Sequence, residues 1–519
     1  MTQPLVIGLD CGTGGARAMV VDLTGQVRGH HAVSYETHFP QPGWAEQSSA
    51  DWWAAAATAV RGAVQAAGAD PSAILAIAAS GTSSTVVALD AAGSPIGPAI
   101  LWMDNRASGQ ARRMSATGDT ALARSRKGVS SETQIPKLLW LKERQPDTFG
   151  RARWFVEMSD YLAFRLSGRL TLGLNAITNR WFYDGRTGGW PTAFYDRIGL
   201  AGITERFPSE ILPLGTPVGP LAPEAVEAMG LSPETLVVMG GTDAYVAMLG
   251  LDVCAPGKTG LITGSSHLLL CQTDQDSEAP GLFGPHPDCV IPGLSVFEGG
   301  QVSSLSIVKW WHDHVGHALH AGPDSYAAMM RQAADVPIGA DGLVALDFWQ
   351  GNRNPYTDYD LTGALWGLTL RHTPAHMLRA MLEAICFGTQ NIVATLAENG
   401  IPVTGMAACG GATRNPFVMQ MHADVTGLPI TLPKVTEATG LGAAILAAVG
   451  AGSFGSLAAA ASAMVSEDAV VEPNQQAHAR YSENFDLYRQ TYAALMPLMH
   501  EQAARRAALQ GVIVPSPST

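Results

Sequence analysis

The most constraining feature of the sequence is a run of small residues placed directly after a short apolar segment near the N-terminus. Residues 5–9 (Leu-Val-Ile-Gly-Leu) predict a buried strand, and Asp10-Cys11-Gly12-Thr13-Gly14-Gly15 predicts a tight turn. A second strand is predicted over 16–21. Helical segments such as 51–67 then alternate with further strands such as 73–79. This interleaving predicts an α/β fold.

A comparable arrangement occurs again in the second half. Residues 259–263 predict a strand, Gly264-Ser265-Ser266 a turn, and 267–271 another strand. The two stretches share shape more than identity, so they are weak evidence for a duplication. The 519 residues correspond to about three typical domains of roughly 150 residues, and we expect two large ones. We predict an N-terminal domain over 1–250 and a C-terminal domain over 251–519 that ends in closing helices.

Composition and charge exclude several classes of protein. Apolar residues make up 47% of the chain and charged residues 15%, which excludes global disorder. The net charge of −13, without a basic cluster, argues against nucleic-acid binding. The six cysteines are scattered singly and are expected to be buried, reduced thiols. No segment predicts a signal peptide or a membrane span, so we expect a cytoplasmic protein without membrane association. The oligomeric state stays open, with a homodimer among the alternatives.

Three turns rich in small residues are candidate phosphate sites. In the first, around Thr13 and Gly14, glycines allow backbone N–H groups to face a phosphate. Gly264-Ser265-Ser266 is the second, and Gly410-Gly411-Ala412 is the third. Each turn has an ordinary alternative as a tight connection between elements, which the residues alone do not exclude. Asp10, at the end of the first strand, is a carboxylate of the kind that Mg²⁺ binds together with phosphate and water.

Asp243 is a candidate for acid–base chemistry. It follows a predicted strand and the turn Gly240-Gly241-Thr242, and it opens a helix. An aspartate at such a position is typical of a helix N-cap. The position is also the C-terminal edge of a sheet, where α/β proteins bind ligands and where a carboxylate can accept a proton from a hydroxyl. The residues alone leave both interpretations open.

Two further segments suit a polyhydroxylated ligand. Trp102, Asp104 and Arg106 lie close together in the sequence and combine an aromatic platform with charged hydrogen-bonding groups. The alternative is a surface loop in which Asp104 and Arg106 form an ion pair. Glu298 precedes two glycines, in a segment that is either a turn or a sugar contact.

Taken in order along the chain, these motifs resemble the FGGY family of carbohydrate kinases, and the resemblance covers nearly the whole chain. Its most specific part is 363–368 (Gly-Ala-Leu-Trp-Gly-Leu) with 376–383 (His-Met-Leu-Arg-Ala-Met-Leu-Glu), which fits the second signature of that family. The resemblance implies two ribonuclease-H-like (actin-like) domains with ATP and a sugar in the cleft between them. It also implies Mg²⁺-dependent transfer of the ATP γ-phosphate to a sugar hydroxyl.

The resemblance further implies a role for each matching position. Asp243 is the expected catalytic base, and Asp243 and Asp10 are the expected Mg²⁺ ligands. The expected ATP contacts are Thr13, Gly14, Gly264, Ser265, Gly410, Gly411 and Asn415. The expected sugar contacts are Thr82, Ser83, Trp102, Asp104, Arg180, Asp243 and Glu298.

Within the family the chain is most similar to the ribulokinase branch, which implies a ketopentose acceptor, above all D-ribulose. Segments 136–142, 298–301, 351–355 and 420–427 carry this similarity. Arg180 departs from it, because that branch usually has Lys there and the two side chains are not interchangeable at a sugar hydroxyl. L-ribulose, a tetrulose or a pentitol such as ribitol therefore stay open as acceptors. The alternative from another class is an inactive actin-like, ATP-binding sugar sensor, which the retention of both predicted Mg²⁺ ligands argues against.

Overall fold

The computed structural model of the chain describes residues 3–125, 128–316, 318 and 322–509. The strands of the first half are β1 (Leu5–Gly12), β2 (Gly15–Asp22), β3 (Val27–Ser34), β4 (Glu46–Gln47), β5 (Ile74–Gly81), β6 (Val87–Leu89), β7 (Ala99–Ile100), β8 (Trp154–Val156), β9 (Leu172–Gly173), β10 (Ile211–Leu212), β11 (Pro217–Pro220) and β12 (Leu236–Val238). The α-helices are α1 (Ser49–Ala67), α2 (Ser108–Ser115), α3 (Gln134–Arg144), α4 (Pro146–Arg151), α5 (Met158–Ser167), α6 (Leu174–Arg180), α7 (Thr192–Arg197), α8 (Pro223–Met229) and α9 (Asp243–Gly250).

The second half repeats the alternation of strands and helices. Its strands are β13 (Lys258–Thr263), β14 (His267–Thr273), β15 (Phe283–Pro287), β16 (Ser295–Gln301), β17 (Val344–Leu346), β18 (Ala364–Trp366), β19 (Gly405–Gly410), β20 (Ile430–Pro433) and β21 (Glu467–Val471). Its α-helices are α10 (Leu305–Trp311), α11 (Ser325–Ala334), α12 (Pro374–Glu398), α13 (Pro416–Thr426), α14 (Ala438–Gly450), α15 (Leu457–Met464) and α16 (Gln475–Leu509). The predicted closing helices are thus one long helix, α16.

Each half is built on one mixed sheet. The strand order is β11-β12-β5-β1-β2-β3 in the first and β15-β16-β14-β13-β19-β20-β21 in the second. In the first, β1, β2 and β3 are antiparallel, and β5 and β12 continue the sheet parallel to β1. In the second, β13, β14 and β16 are antiparallel, and β19 and β20 run parallel to β13. Five strands of each sheet, β12-β5-β1-β2-β3 and β20-β19-β13-β14-β16, share one order and direction, so the weak repeat in the sequence corresponds to a structural repeat.

Local sequence signals explain several element ends. The side chain of Ser48 accepts a hydrogen bond from the backbone N–H of Asp51 at the start of α1. The same helix ends at Gly68, which has a left-handed backbone with φ of 59°. All six cysteines are buried and free of disulfides, as predicted.

Helices α9 and α14 pack between the two sheets, and their backbones lie very close to each other. A Cβ added at Gly442 of α14 would lie 2.0 Å from the carbonyl oxygen of Val246 in α9. A Cβ added at Gly8 of β1 would lie 1.9 Å from the carbonyl oxygen of Gly440. Only glycine permits these approaches. Because β1 carries Asp10 and α9 begins at Asp243, this packing fixes the elements of the two predicted Mg²⁺ ligands relative to each other.

Helix α12 is long and apolar enough, among the helices of the described residues, to cross a membrane. However, 83% of its most apolar window is buried inside the protein. It also carries a buried ion pair between Arg379 and Glu383, with Nε and Oε1 2.7 Å apart. These features are typical of a core helix.

Candidate active site

Asp10 lies near the end of β1, between β2 and β5. Its Oδ1 accepts a hydrogen bond from Ser80 Oγ at 3.1 Å, and its Oδ2 accepts one from Arg17 Nη1 at 3.3 Å. Both contacts follow from the sheet register, in which Ser80 and Arg17 are the cross-strand partners of Asp10. Burial raises the pKa of Asp10, and Arg17 opposes the rise.

The β1–β2 turn carries Thr13 and Gly14. The carbonyl oxygen of Thr13 accepts a hydrogen bond from Gln47 Nε2 at 2.7 Å, and its Oγ1 accepts one from Trp102 Nε1 at 3.0 Å. Gly14 is exposed, and a Cβ there would meet no described atom within 4 Å. The turn is therefore fixed at Thr13 and open at Gly14.

The second predicted phosphate turn joins β13 to β14. The backbone N–H of Gly264 donates to the carbonyl oxygen of Ser266 at 2.9 Å. The carbonyl oxygen of Ser265 accepts from the backbone N–H groups of Ser304 and Ser306 at 3.0 and 3.2 Å. These bonds attach the turn to the start of α10.

The third predicted turn follows β19. Gly410 has a φ of 95°, and a Cβ there would lie 1.9 Å from the carbonyl oxygen of Thr263. Asn415 caps α13, with its Oδ1 accepting from the backbone N–H of Phe417 at 3.1 Å. Gly411 and Asn415 line a hollow of about 560 Å³ together with Leu305, Tyr326, Ala327, Met330, Arg331, Ala334, Ala412, Arg414, Phe417 and Val418.

Asp243 is the first residue of α9, immediately after the end of β12 and its glycine turn. Thr242, not Asp243, occupies the N-cap position, so the simple capping interpretation is wrong. The Oδ1 of Asp243 accepts a hydrogen bond from the backbone N–H of Ala244 at 2.8 Å. Burial, and then the negative charge of Asp10, raise the pKa of Asp243 to about 7. Such a value suits a general base near neutral pH.

A cavity of about 280 Å³ lies between the two halves of the chain. The residues that line it are Thr13, Thr82, Ser83, Ser84, Trp102, Gly128, Ser130, Glu132, Thr133, Asn179, Arg180, Phe182, Asp243, Ala244, Tyr245, Ile262, Thr263, Gly264, Ser265, Ser266, His267, Leu268, Phe283, His286, Glu298 and Arg353. The cavity thus brings together Asp243, the second predicted phosphate turn, Thr13 of the first turn and most of the predicted sugar contacts.

An ion pair crosses this cavity from one half of the chain to the other. Arg180 donates from Nη2 to Glu298 Oε2 at 2.8 Å and from Nε to Ser83 Oγ at 3.1 Å. Burial opposes ionisation of Glu298, but the guanidinium groups of Arg180 and Arg353 lower its pKa to about 2. Glu298 is therefore ionised at neutral pH. Thr82, also on the lining, shares a hydrogen bond of 2.7 Å with the hydroxyl of Thr85.

Asp104 is among the predicted sugar contacts, but it does not line the cavity. Its side chain is fully buried, and Nε and Nη2 of Arg106 donate to it at 2.9 and 2.7 Å. The backbone N–H of Ala45 donates to Oδ2 at 2.6 Å. Arg106 in turn stacks 3.8 Å from the ring of Trp44. With its oxygens engaged in this way, Asp104 holds a loop in place, and its side chain does not reach the cavity.

Several side chains on the cavity are not among the sugar contacts predicted from the sequence. Tyr245 donates its hydroxyl to Glu298 Oε2 at 2.8 Å. Arg353 contacts Glu132 Oε2 at 3.0 Å, which adds a second ion pair between the halves of the chain. Tyr245 was detectable in principle, since it lies two residues after Asp243. The pairing of Arg353 with Glu132 leaves no signal in the sequence, since 221 positions separate them.

Models of the two domains of one family match this chain. The N-terminal domain model of the FGGY family of carbohydrate kinases matches residues 5–250, and the C-terminal domain model matches residues 260–451. The chain belongs to the FGGY family of carbohydrate kinases. It is therefore a phosphotransferase that acts on a sugar, as the sequence predicted.

Individual FGGY relatives agree with this assignment. A ribulokinase from Geobacillus thermodenitrificans is 32% identical over 496 residues, which cover 87% of this chain and 86% of the relative. An FGGY carbohydrate kinase domain-containing protein from Danio rerio is 31% identical, covering 94% of this chain and 97% of the relative. The crystal structure of a xylulose kinase from Rhodospirillum rubrum superposes with a TM-score of 0.86 at 28% identity, covering 96% of this chain and all of that one. The fold is thus the two-domain, ribonuclease-H-like architecture of FGGY kinases.

Proposed function

We propose that this FGGY kinase transfers the γ-phosphate of ATP to a hydroxyl group of a ketopentose, with D-ribulose as the acceptor. The observation that carries the proposal is the position of Asp243. Its carboxylate, with a pKa raised to about 7 by burial and by Asp10, lines the same cavity as the Arg180–Glu298 ion pair and the Gly264–Ser266 turn. A proton acceptor, a polar sugar site and a phosphate turn are the parts that phosphoryl transfer to a sugar needs.

For the nucleotide, we propose that the hollow beside α11 and α13 holds the adenosine. Gly411 and Asn415 line it, and the ring of Phe417 offers an apolar surface for a base. Gly410 keeps the backbone of this turn against β13. Thr13 and Gly14 on one side, and Gly264 and Ser265 on the other, are the proposed phosphate contacts.

For the metal, we propose that Asp10 and Asp243 hold a Mg²⁺ ion. Their carboxylates are close enough for the charge of Asp10 to raise the pKa of Asp243, a repulsion that a divalent cation relieves. The described residues contain no group of three or more His, Cys, Asp or Glu side chains that could hold an ion by themselves. Two carboxylates completed by phosphate and water oxygens fit Mg²⁺. When bound, the ion neutralises charge on the phosphate oxygens.

The chemistry of the protein residues then follows from the site. The Thr13–Gly14 and Gly264–Ser265 turns orient the phosphates, while Arg180 and Glu298 orient the sugar. Asp243 accepts the proton of the attacking hydroxyl as that oxygen bonds to the γ-phosphorus and the bond from that phosphorus to the departing ADP oxygen breaks. Little covalent chemistry is required beyond this, so most of the rate enhancement comes from positioning and electrostatics.

The choice of acceptor rests on the ribulokinases among the relatives and on the ion pair at Arg180 and Glu298. We also propose a domain boundary near residue 250, where α9 ends and the chain passes to β13. The sugar cavity draws residues from both sides of this boundary, because Glu298 and Arg353 belong to the second half. The N-terminal domain therefore supplies most, but not all, of the proposed sugar site.

The experiment is an ADP-release assay with Mg-ATP against a panel of ketopentoses, tetruloses and pentitols. We expect the highest kcat/KM with D-ribulose and no ADP release without an acceptor. The Asp243→Asn variant is the matched control for contaminating kinases, because it keeps the shape of the side chain and removes the base. ADP release that is independent of any acceptor would contradict the proposal, and a preference for L-ribulose or a pentitol would correct the acceptor.

A further inference from the structure

Helix α6 presents two asparagines one turn apart, and their amides are used differently. Asn175 has its bonding groups engaged: Oδ1 accepts from the backbone N–H and the hydroxyl of Thr242, both at 2.9 Å, and Nδ2 donates to the carbonyl oxygen of Cys289 at 2.7 Å. Asn179 is 6% exposed and lines the cavity, yet neither atom of its amide has a hydrogen-bond partner among the described residues. Buried amides without a partner are rare in folded proteins.

His286 is the second unpartnered group on the same wall. It lies on β15, which packs against α6, and it is 4% exposed. Within the described part of the chain, neither of its ring nitrogens forms a hydrogen bond of normal geometry, although the backbone of Thr178 lies near enough to oppose the fall of its pKa. Burial lowers the pKa of His286 to about 3, so the ring is neutral at pH 7. A neutral imidazole has one donor nitrogen and one acceptor nitrogen.

Glu298 adds an acceptor to these two residues. Its Oε2 receives hydrogen bonds from Arg180 and Tyr245, both at 2.8 Å. Its Oε1 is buried, has Arg353 Nη2 3.5 Å away, and has no hydrogen-bond partner among the residues that the structure describes. The wall therefore offers an amide, an imidazole and a carboxylate oxygen, a mixture of donors and acceptors that matches neighbouring hydroxyl groups.

Each arginine on the cavity is paired with a carboxylate, and Asp243 adds a further acidic group to the lining. The guanidinium groups of Arg180 and Arg353 are paired with the carboxylates of Glu298 and Glu132. The described lining includes no further Arg or Lys side chain. A ligand carboxylate would therefore find no free counter-charge here, whereas an uncharged ligand needs none.

We propose that Asn179, His286 and Oε1 of Glu298 form a surface that recognises the non-reacting hydroxyls of an uncharged ketose or polyol, and that Asn179 and His286 determine which acceptor is used. The inference rests on the proposed kinase function and adds two specificity-determining residues to it. Groups that lack partners in the protein form hydrogen bonds only when a hydroxyl of the acceptor lies against them. They therefore discriminate against acceptors that lack this hydroxyl.

The test compares Asn179→Leu and His286→Phe with the wild type. Each change removes the hydrogen-bonding atoms and keeps much of the side-chain volume. Because the side chains of Asn179 and His286 form no hydrogen bond of normal geometry with the described residues, we expect an unchanged or higher Tm for each variant. We expect kcat/KM for the preferred acceptor to fall about 10- to 1000-fold, mainly through KM. Thr171→Val is the matched control, since its buried hydroxyl is also unpartnered among the described residues but lies off the cavity.

Deoxy analogues of the preferred acceptor separate recognition from a structural effect. With the analogue that lacks the recognised hydroxyl, the wild type and Asn179→Leu should have kcat/KM values within about threefold of each other. A loss of equal size with every analogue, or no loss with the parent acceptor, would overturn the inference. Efficient phosphorylation of an aldonate of the same chain length would overturn the requirement for an uncharged acceptor.

Binding without ATP distinguishes failure of this inference from failure of the proposed function. If the wild type releases no ADP with any acceptor, the kinase proposal fails. The rise in Tm that an acceptor induces without ATP then tests the recognition surface by itself. A rise with neutral polyols in the wild type that is lost in Asn179→Leu supports the recognition surface. An equal rise in both proteins, or no rise in the wild type with any neutral polyol, overturns it.

Discussion

Arg180 and Glu298 form an ion pair that joins the two halves of the chain, with Nη2 of Arg180 2.8 Å from Oε2 of Glu298. Both side chains are largely buried, at 12% and 1% exposed. A second hydrogen bond from Arg180 to Ser83 fixes the plane of the guanidinium. The geometry uses the fork of an arginine, since one guanidinium contacts Ser83 and Glu298 at the same time.

Glu298→Gln is expected to lower both stability and activity. It removes the negative charge and leaves Arg180 buried beside a neutral amide, which costs about 3 kcal/mol of the free energy of unfolding. Arg180→Lys keeps the charge but lacks the fork that contacts Ser83 and Glu298, so we expect a smaller loss of stability and a raised KM for the sugar. Urea unfolding and ADP-release kinetics measure both effects. A kcat/KM for Glu298→Gln within twofold of the wild type would contradict the proposed sugar contact.

Asp243→Asn is expected to fold normally and to lose turnover. The amide cannot accept the hydroxyl proton, and loss of a general base lowers kcat by roughly 10²- to 10⁴-fold. Asp335→Asn, an exposed aspartate at the end of α11, is the control and should leave kcat unchanged. Circular dichroism checks the fold of each variant. Substantial turnover by Asp243→Asn would remove the assignment of the base.

The pH dependence of stability should differ between Asp243→Asn and the wild type. The pKa of Asp243 is about 7 in the folded protein and 3.8 when unperturbed, so the folded state binds the proton more tightly. Stability from this group is therefore present at low pH and is lost as pH rises from about 4 to 7. In metal-free buffer, we expect Asp243→Asn to be the more stable protein at pH 8, by on the order of 1–3 kcal/mol, and the difference to vanish near pH 4. Chemical denaturation at both pH values measures it, and a constant difference would contradict the raised pKa.

Gly410→Ala is expected to destabilise the C-terminal half and weaken nucleotide binding. The new Cβ would meet the carbonyl oxygen of Thr263 at 1.9 Å, and the φ of 95° disfavours alanine. We expect a loss of about 2–4 kcal/mol in unfolding free energy and a raised Kd for ADP. Gly14→Ala is the control for stability, because its Cβ would meet no described atom within 4 Å. Equal stability of Gly410→Ala and the wild type would show that this turn can move.

Asp104→Asn is expected to act on stability rather than on sugar recognition. It would leave Arg106 with reduced charge compensation in a buried position, although Glu46 lies 2.8 Å from the same guanidinium. We expect a loss of about 1–3 kcal/mol, with the KM for the sugar within about threefold of the wild type. Thermal unfolding and acceptor kinetics test this. A large rise in KM without a fall in Tm would restore Asp104 as a sugar contact.

The sequence was informative wherever function depends on a strand end or a turn. Asp10, Thr13, Asp243 and Gly264 all lie at such points, and the local pattern of an apolar run followed by small residues identified them. Their order along the chain carried the resemblance to the FGGY family, and the family models confirmed that the chain belongs to it. The assignment of individual roles to these residues stays a prediction.

What the sequence by itself determined is the α/β architecture, the family and the carboxylates at the strand ends, because each depends on short-range patterns of burial and turn chemistry. Only the tertiary structure decided that Asp104 pairs inside a loop, that Arg180 meets Glu298, and that Asn179 and His286 share one wall without partners. These relationships join residues more than a hundred positions apart, or depend on which hydrogen bonds are already used. Nothing in a linear sequence encodes either property directly, because the first arises when the two domains pack against each other and the second depends on the folded surroundings of each side chain.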